Sequence, residues 1–194
     1  MQKISNTDRL SSEADRLAGL GAAARALTLS AATLTSGLIA GLYYTYAVSV
    51  NLALAEQPDA SYADTMNAIN ERIQNPLFFA SFLGAPLLLL ATLAAHLPRF
   101  RSGRFRLVAL ACVLHIGGAF LVTMLANVPL NDELARVTTE DSASALARAR
   151  AAYEGPWDSW NWVRTAFSVL SFAVLVGACL LRDGRAPRPG GRKR

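Results

Sequence analysis

The chain has 194 residues, 53% of them hydrophobic and 17% charged, with a formal charge of +5. That length suits one domain, and the scarce charge is spread very unevenly. Where the positive residues fall excludes a nucleic-acid surface, as the chain order shows.

Four windows are almost free of charge, at roughly 26–50, 77–97, 107–126 and 165–181. A hydrocarbon core about 30 Å thick needs roughly 20 helical residues, and each window meets that need. The alternating ten-residue segments of a membrane barrel do not occur. The predicted fold is all-α: a four-transmembrane-helix bundle with amphipathic helical segments in the two extracytoplasmic loops. A lead at 1–21, a membrane domain at 22–182 and a disordered basic tail at 183–194 complete the organisation, the last helix starting at about 163.

The lead carries Lys3, Arg9, Arg16 and Arg25, the link after the second window Arg99, Arg101, Arg104 and Arg106, and the tail six more basic residues. Four crossings put those fourteen on one side and leave Arg72, Arg136, Arg148, Arg150 and Arg164 on the other, with ten of the fourteen carboxylates. The positive-inside rule then places both termini in the cytoplasm and the chain in the plasma membrane. The positive balance records topology and contact with anionic lipid.

The first window is rich in small residues (Ser30, Thr33, Ser36, Gly37, Gly41), which let helices approach closely in lipid. Ala53-Leu54-Ala55 resembles a signal-peptidase site, but the apolar run is far longer than a signal's roughly 7–15 residues, so the helix is expected to be retained. Tyr43, Tyr44 and Tyr46 at its end read as an aromatic belt, or as a pocket wall if one of them turns inward. After Pro58, Met66, Ile69 and Ile73 recur at helical spacing, with Asn67 and Asn70 three apart, which predicts a short amphipathic helix over the bundle mouth. Asn75-Pro76 ends it, and Gly84-Ala85-Pro86 predicts a kink in the second span.

His115 is the one ionisable side chain deep in a window, a functional candidate by position and equally a neutral interhelical hydrogen-bonding group. A haem shared with His96 is disfavoured, because antiparallel geometry sets the two about 13 Å apart in depth. Cys112 and Cys179 also differ in depth, by roughly 6 Å, and read as apolar fillers. Pro129 within Asn127-Val128-Pro129-Leu130-Asn131 predicts a helix break, with both amides bonding freed backbone groups. An outer helical stretch at about 131–153 follows, interrupted by Gly155-Pro156. Beyond it, Trp157, Trp160, Asn161 and Arg164 fall at i, i+3, i+4 and i+7 and so share one helix face, while Trp162 points elsewhere. An interfacial anchor explains the indoles but not the amide and guanidinium beside them.

Three pieces taken together, MNAIN at 66–70, NVPLNDEL at 127–134 and WDSWNWVRT at 157–165, resemble the anthrone oxygenase-like family of small integral membrane proteins. GLYYTYAVSV at 41–50 matches how that family leaves its first helix, and the resemblance extends over roughly 26–181. It implies four spans and, for some members, oxidation of an anthrone to an anthraquinone by dioxygen. It carries over Asn70, Asn127, Asn131, Trp160, Asn161 and Arg164.

All three motifs lie at the same end of the bundle, where they could frame a pocket for a flat, phenolic, largely apolar molecule entering from lipid. Arg164 and Asn161 are the catalytic candidates, stabilising a developing enolate oxygen. Tyr43, Asn70, Asn127, Asn131, Trp157 and Trp160 are the candidate binding residues. Glu154 and Asp158 are the nearest carboxylates in sequence, and neither shares the Arg164 face. A second role for Arg164 is structural: bonding carbonyls at the Asn127–Asn131 break. No cofactor or metal is called for, since the chain has no Cys/His cluster and no Gly-rich phosphate loop. A non-catalytic membrane scaffold or partner subunit is the alternative to an enzyme.

Overall fold

The computed structural model describes residues 6–181, all of its regular elements helical. The tail at 183–194 and the first five residues lie outside that range. The first helix, α1, runs Asn6–Thr45 and continues through a π-helical turn at Tyr46–Val50 into Asn51–Ala55. Residues 6–21, most of the stretch expected as a separate lead at 1–21, are thus helical and continuous with α1, and 9–20 are exposed. An amphipathic helix, α2, occupies Asp59–Arg72 and buries Tyr62, Ala63 and Met66. The second span, α3, is built from Pro76–Phe82 and Gly84–His96. The third, α4, starts as Gly103–Cys112, passes through π-helical runs at Val113–Phe120 and Thr123–Asn127, and ends as Val128–Leu134. The last, α5, is the single helix Ala143–Leu180. Four of these helices are long and apolar enough to cross a membrane, covering Arg9–Ala55, Pro76–Arg99, Gly103–Leu134 and Ala143–Leu180. The protein is a multi-pass membrane protein.

Local chemistry sets the boundaries. Asn75 is extended (φ −119°, ψ 163°), and its Oδ1 accepts from the amides of Leu77 and Phe78 at 3.1 Å, with Pro76 in the first turn of α3. Near the expected kink at Gly84-Ala85-Pro86 the helix is interrupted for one residue, Leu83, and the N–H that Pro86 lacks leaves the Phe82 carbonyl, four residues back, without its helical donor. Ser142 caps α5 by accepting from the Ala145 amide. At the opposite end, the Arg104 guanidinium donates to the carbonyls of Ala178 and Leu181 and so closes the C-terminus of α5.

Two predicted interruptions are corrected. The chain does not break at Asn127–Asn131: Val128 is helical (φ −63°, ψ −49°), and its N–H bonds the Thr123 carbonyl five residues back. The wider π turn takes up the proline locally, so α4 runs on to Leu134. Nor does Gly155-Pro156 interrupt a helix, because Pro156 sits inside the continuous α5. The actual break in the predicted 131–153 stretch is the turn at 135–142.

In lipid there is no hydrophobic drive between helices, so close packing and small residues carry the association. Ser171 Oγ donates to the Ala111 carbonyl at 3.0 Å, joining α5 to α4. A β-carbon on Gly118 would lie 2.1 Å from Cγ and 2.5 Å from Cβ of Phe167. Gly118→Ala is therefore expected to destabilise the bundle by about 1–3 kcal/mol, the cost of overpacking. Phe167→Ala in the same chain should recover much of the loss in a thermal melt of detergent-solubilised protein.

Candidate functional site

The two long connections lie at one end of the bundle, the loop end. There α2, the last turns of α4 and the first turns of α5 pack into a common core that includes Tyr46, Leu54, Tyr62, Met66, Leu134, Leu146, Tyr153 and Trp157. Arg150 fastens this cap. Its guanidinium donates to the carbonyls of Gln57 (2.6 Å) and Ala55 (2.8 Å), pairs with Glu154 (2.8 Å) and Asp59 (3.1 Å), and covers the Tyr62 ring at 4.5 Å. Burial, then the Glu154 and Asp158 carboxylates, push the Tyr62 hydroxyl well above the usual phenol range, so it stays neutral beneath that cation.

Below the cap is a cavity of about 680 Å³, within the roughly 300–1,000 Å³ of small-molecule sites. One wall is apolar and aromatic: Phe78 and Phe82 stack with centroids 5.2 Å apart, and Phe79, Leu42, Met124 and Val128 extend it. The other wall is polar, with Arg164, Tyr43, Asn131 and Asn70, and Glu71 and Asp132 stand exposed at the rim.

Arg164 is only 6% exposed, yet among the described residues no carboxylate pairs with it. Its Nε donates to Asn161 Oδ1 at 3.0 Å, and its Cζ lies over the rings of Tyr43 (4.2 Å from the centroid) and Trp157 (4.8 Å). Cation–π contact offsets part of the desolvation of a buried guanidinium, at roughly 0.5–2 kcal/mol per ring. It does not supply a counter-charge. Tyr43 is fixed in turn: Thr123 Oγ1 donates to the Ala119 carbonyl (2.9 Å), so the Tyr43 hydroxyl is the donor in its 3.0 Å bond to Thr123.

Asn131 Oδ1 accepts from both Tyr153 Oη and Trp157 Nε1 at 2.8 Å, which leaves its amide nitrogen as the group offered to the cavity. The buried Nδ2 of Asn70 has no hydrogen-bond partner. Asn131→Leu strands two donors at once and should lower stability by about 1–3 kcal/mol. A shift in Trp157 emission would report the loss of its indole partner.

Of the residues singled out from the sequence, Tyr43, Asn70, Asn131, Trp157 and Arg164 line the cavity. Asn161 is fully buried behind Arg164, its Nδ2 donating to the Tyr43 carbonyl at 3.4 Å, so it positions the guanidinium and does not face the cavity. Asn127 likewise stands behind the wall, donating to the Trp157 carbonyl at 3.3 Å. Trp160 is 43% exposed and absent from the lining. At about 100° per residue it falls some 60° to one side of Trp157, whereas Asn161 and Arg164 stay within about 40°. Nor does Arg164 bond the carbonyls near Asn127. It ties α5 to α1 through Tyr43, and carbonyl bonding falls to Arg150.

Glu154 is held by Arg150, and Asp158 accepts from Asn51 Nδ2 at 2.7 Å; neither lines the cavity. The carboxylates that do, Glu71 and Asp132, were not singled out from the sequence, since only the folded loop end brings them to one rim. Tyr46, one of the belt tyrosines, turns inward against Trp157 with centroids 5.7 Å apart. His115 is 1% exposed with Nδ1 unpartnered, and it is not among the cavity residues. Among the described residues no three of His, Cys, Asp and Glu converge as a metal site.

A four-span helical membrane protein with an aromatic-walled cavity at its loop end, and a buried guanidinium that no carboxylate among the described residues pairs with, is the class that this geometry defines. The anthrone oxygenase family model matches residues 75–174, just over half of the chain, and the chain belongs to that family. The match contains Asn127, Asn131, Trp157, Asn161 and Arg164, and begins after Tyr43 and Asn70. It is shorter than the 26–181 over which the motifs suggest a resemblance. No curated protein and no solved structure matches the chain.

Proposed function

We propose that this protein oxidises an anthrone-like polycyclic phenol with dioxygen in the loop-end cavity. The observation that carries the reading is Arg164: a buried cation with two aromatic faces and no carboxylate partner among the described residues is complementary to an oxyanion from outside the protein. Loss of a proton from the ring methylene places negative charge on the conjugated carbonyl oxygen, which Arg164 stabilises, with the Asn131 amide beside it. The carbanion carbon then bonds dioxygen, and the resulting hydroperoxide loses water to leave a ketone. One dioxygen is consumed, one of its atoms ending in the quinone and the other in water.

Glu71 and Asp132, at the open rim, take the proton in this scheme and release it to water. The double variant Glu71→Gln/Asp132→Asn is expected to lose about 10²-fold in kcat with little change in KM, as for removal of a general base. Purified protein in proteoliposomes, supplied with an anthrone, should consume oxygen and form quinone faster than protein-free vesicles. Equal rates would refute the oxidation.

We infer further that the loop end faces the outside of the plasma membrane and both termini the cytoplasm, on the fourteen basic residues that share the opposite side. One observation favours a second reading, a non-catalytic scaffold: Arg164, Asn161 and Tyr43 link α1 to α5 through their own side-chain and backbone contacts. That reading requires Arg164 to contribute strongly to stability.

A further inference from the structure

We infer that the cavity is entered sideways from the bilayer, through a slot between α3 and α4 flanked by Phe79 and Met124, and that its ligand is an aromatic molecule partitioned in lipid. The claim uses the cavity described above but not the oxidation chemistry. Three of the four seams between spans are closed at cavity level. There α1 packs on α5 and on the Pro76–Phe82 part of α3, while α5 packs on the Thr123–Asn127 and Val128–Leu134 parts of α4. The fourth seam differs. The α3 and α4 helices pack through Gly84–His96 on Gly103–Cys112 and on the Val113–Phe120 turns, and the Phe82 and Phe120 rings meet with centroids 5.1 Å apart. Above that pair the helices diverge, without extensive packing of Pro76–Phe82 on Thr123–Asn127 or Val128–Leu134.

The divergence opens the cavity between two side chains that are at once wall and surface. Phe79 is 39% exposed and Met124 43%, and both line the cavity. They stand on opposite sides of the slot, one on each helix. Both fall inside the charge-free windows, at 77–97 and 107–126, so this part of the slot lies at the depth of the hydrocarbon. The surface around it is apolar and exposed too: Leu77 and Leu83 on α3, Leu121 and Leu125 on α4. The polar rim residues Glu71, Gln74 and Asp132 lie beyond the windows, above the slot.

The slot therefore runs from an apolar lower part to a polar upper part. A molecule with a fused-ring body and one oxygenated edge matches that gradient: its body leaves the acyl chains without crossing water, and its edge rises toward Arg164 and Asn131. Methionine and phenylalanine suit the edges of such an opening, since a thioether adapts and ring contacts are tolerant of shape.

The test reads access, not turnover. In a Cys112→Ser/Cys179→Ser background, Thr123→Cys places a near-isosteric thiol on the cavity wall, with Phe82→Cys as a second reporter. Protein in vesicles is treated with a long-chain alkyl maleimide or with a charged, water-soluble maleimide. The expected result is faster labelling by the alkyl reagent, slowed several-fold when Met124→Trp or Phe79→Trp narrows the slot. Both positions are part-exposed at the edge of the slot, so a tryptophan there can occupy the opening without displacing a buried side chain. Labelling that is faster with the charged reagent, or indifferent to both tryptophans, would overturn the lateral route and leave the proposed oxidation untouched.

Discussion

Arg164→Gln is expected to lower anthrone oxidation by about 10²–10³-fold in kcat, the loss measured when one oxyanion donor is removed from an active site. The same variant should melt at an unchanged or higher temperature. A buried charge with no ionic partner costs desolvation free energy that its two ring contacts only partly return. The shorter neutral amide removes that cost, and no carboxylate is left behind unpaired. The combination separates the enzyme from the scaffold: a scaffold arginine would give a large fall in the melting temperature.

Arg150 predicts the reverse pattern. Arg150→Met unpairs Glu154 and Asp59 and strips the donors from two backbone carbonyls where α5 meets the connection into α2. The expected loss is on the order of 2–3 kcal/mol, below the ~3–5 kcal/mol for breaking a fully buried pair. The discount reflects Asp59, whose side chain is 41% exposed. Arg150→Lys should recover only part of it, because an ammonium cannot span two carbonyls and two carboxylates as the planar fork does. Thermal melts of the purified variants read both values. Two arginines fourteen residues apart on one helix thus divide the work, one fastening the cap and one left unpaired beneath it.

How much of this was legible in the chain follows from the range of each signal. The four spans were legible because hydropathy over some twenty residues is a strong, one-dimensional signal. The amphipathic α2 was legible because Met66, Ile69 and Ile73 follow the helical period. Helical spacing also brought Trp157, Asn161 and Arg164 to one side, but it could not tell a residue at the edge of the stripe from one at its centre, so Trp160 was included. The proline rule expected a break at Pro129, because the rule describes an ordinary α turn. The π-helical registers at Tyr46–Val50 and Thr123–Asn127 have no local pattern, and they set where Tyr46 and Thr123 meet the cavity. Glu71, Asp132 and the Phe78–Phe82 wall belong to three separate elements. Nothing in their sequence spacing relates them, and only the packing of the loop end does.

Binding tests, without turnover, whether Arg164 receives an oxyanion. An inert hydroxyanthraquinone that quenches Trp157 can be titrated into wild-type protein and into Arg164→Gln, each at a pH below and a pH above the ligand's own phenol pKa. Trp160→Phe and Trp162→Phe remove the exposed indoles from the signal in both chains. The predicted result is tighter binding of the phenolate than of the phenol in the wild-type chain, with the preference abolished in Arg164→Gln. Equal affinity for the two ligand forms in the wild-type chain would contradict it.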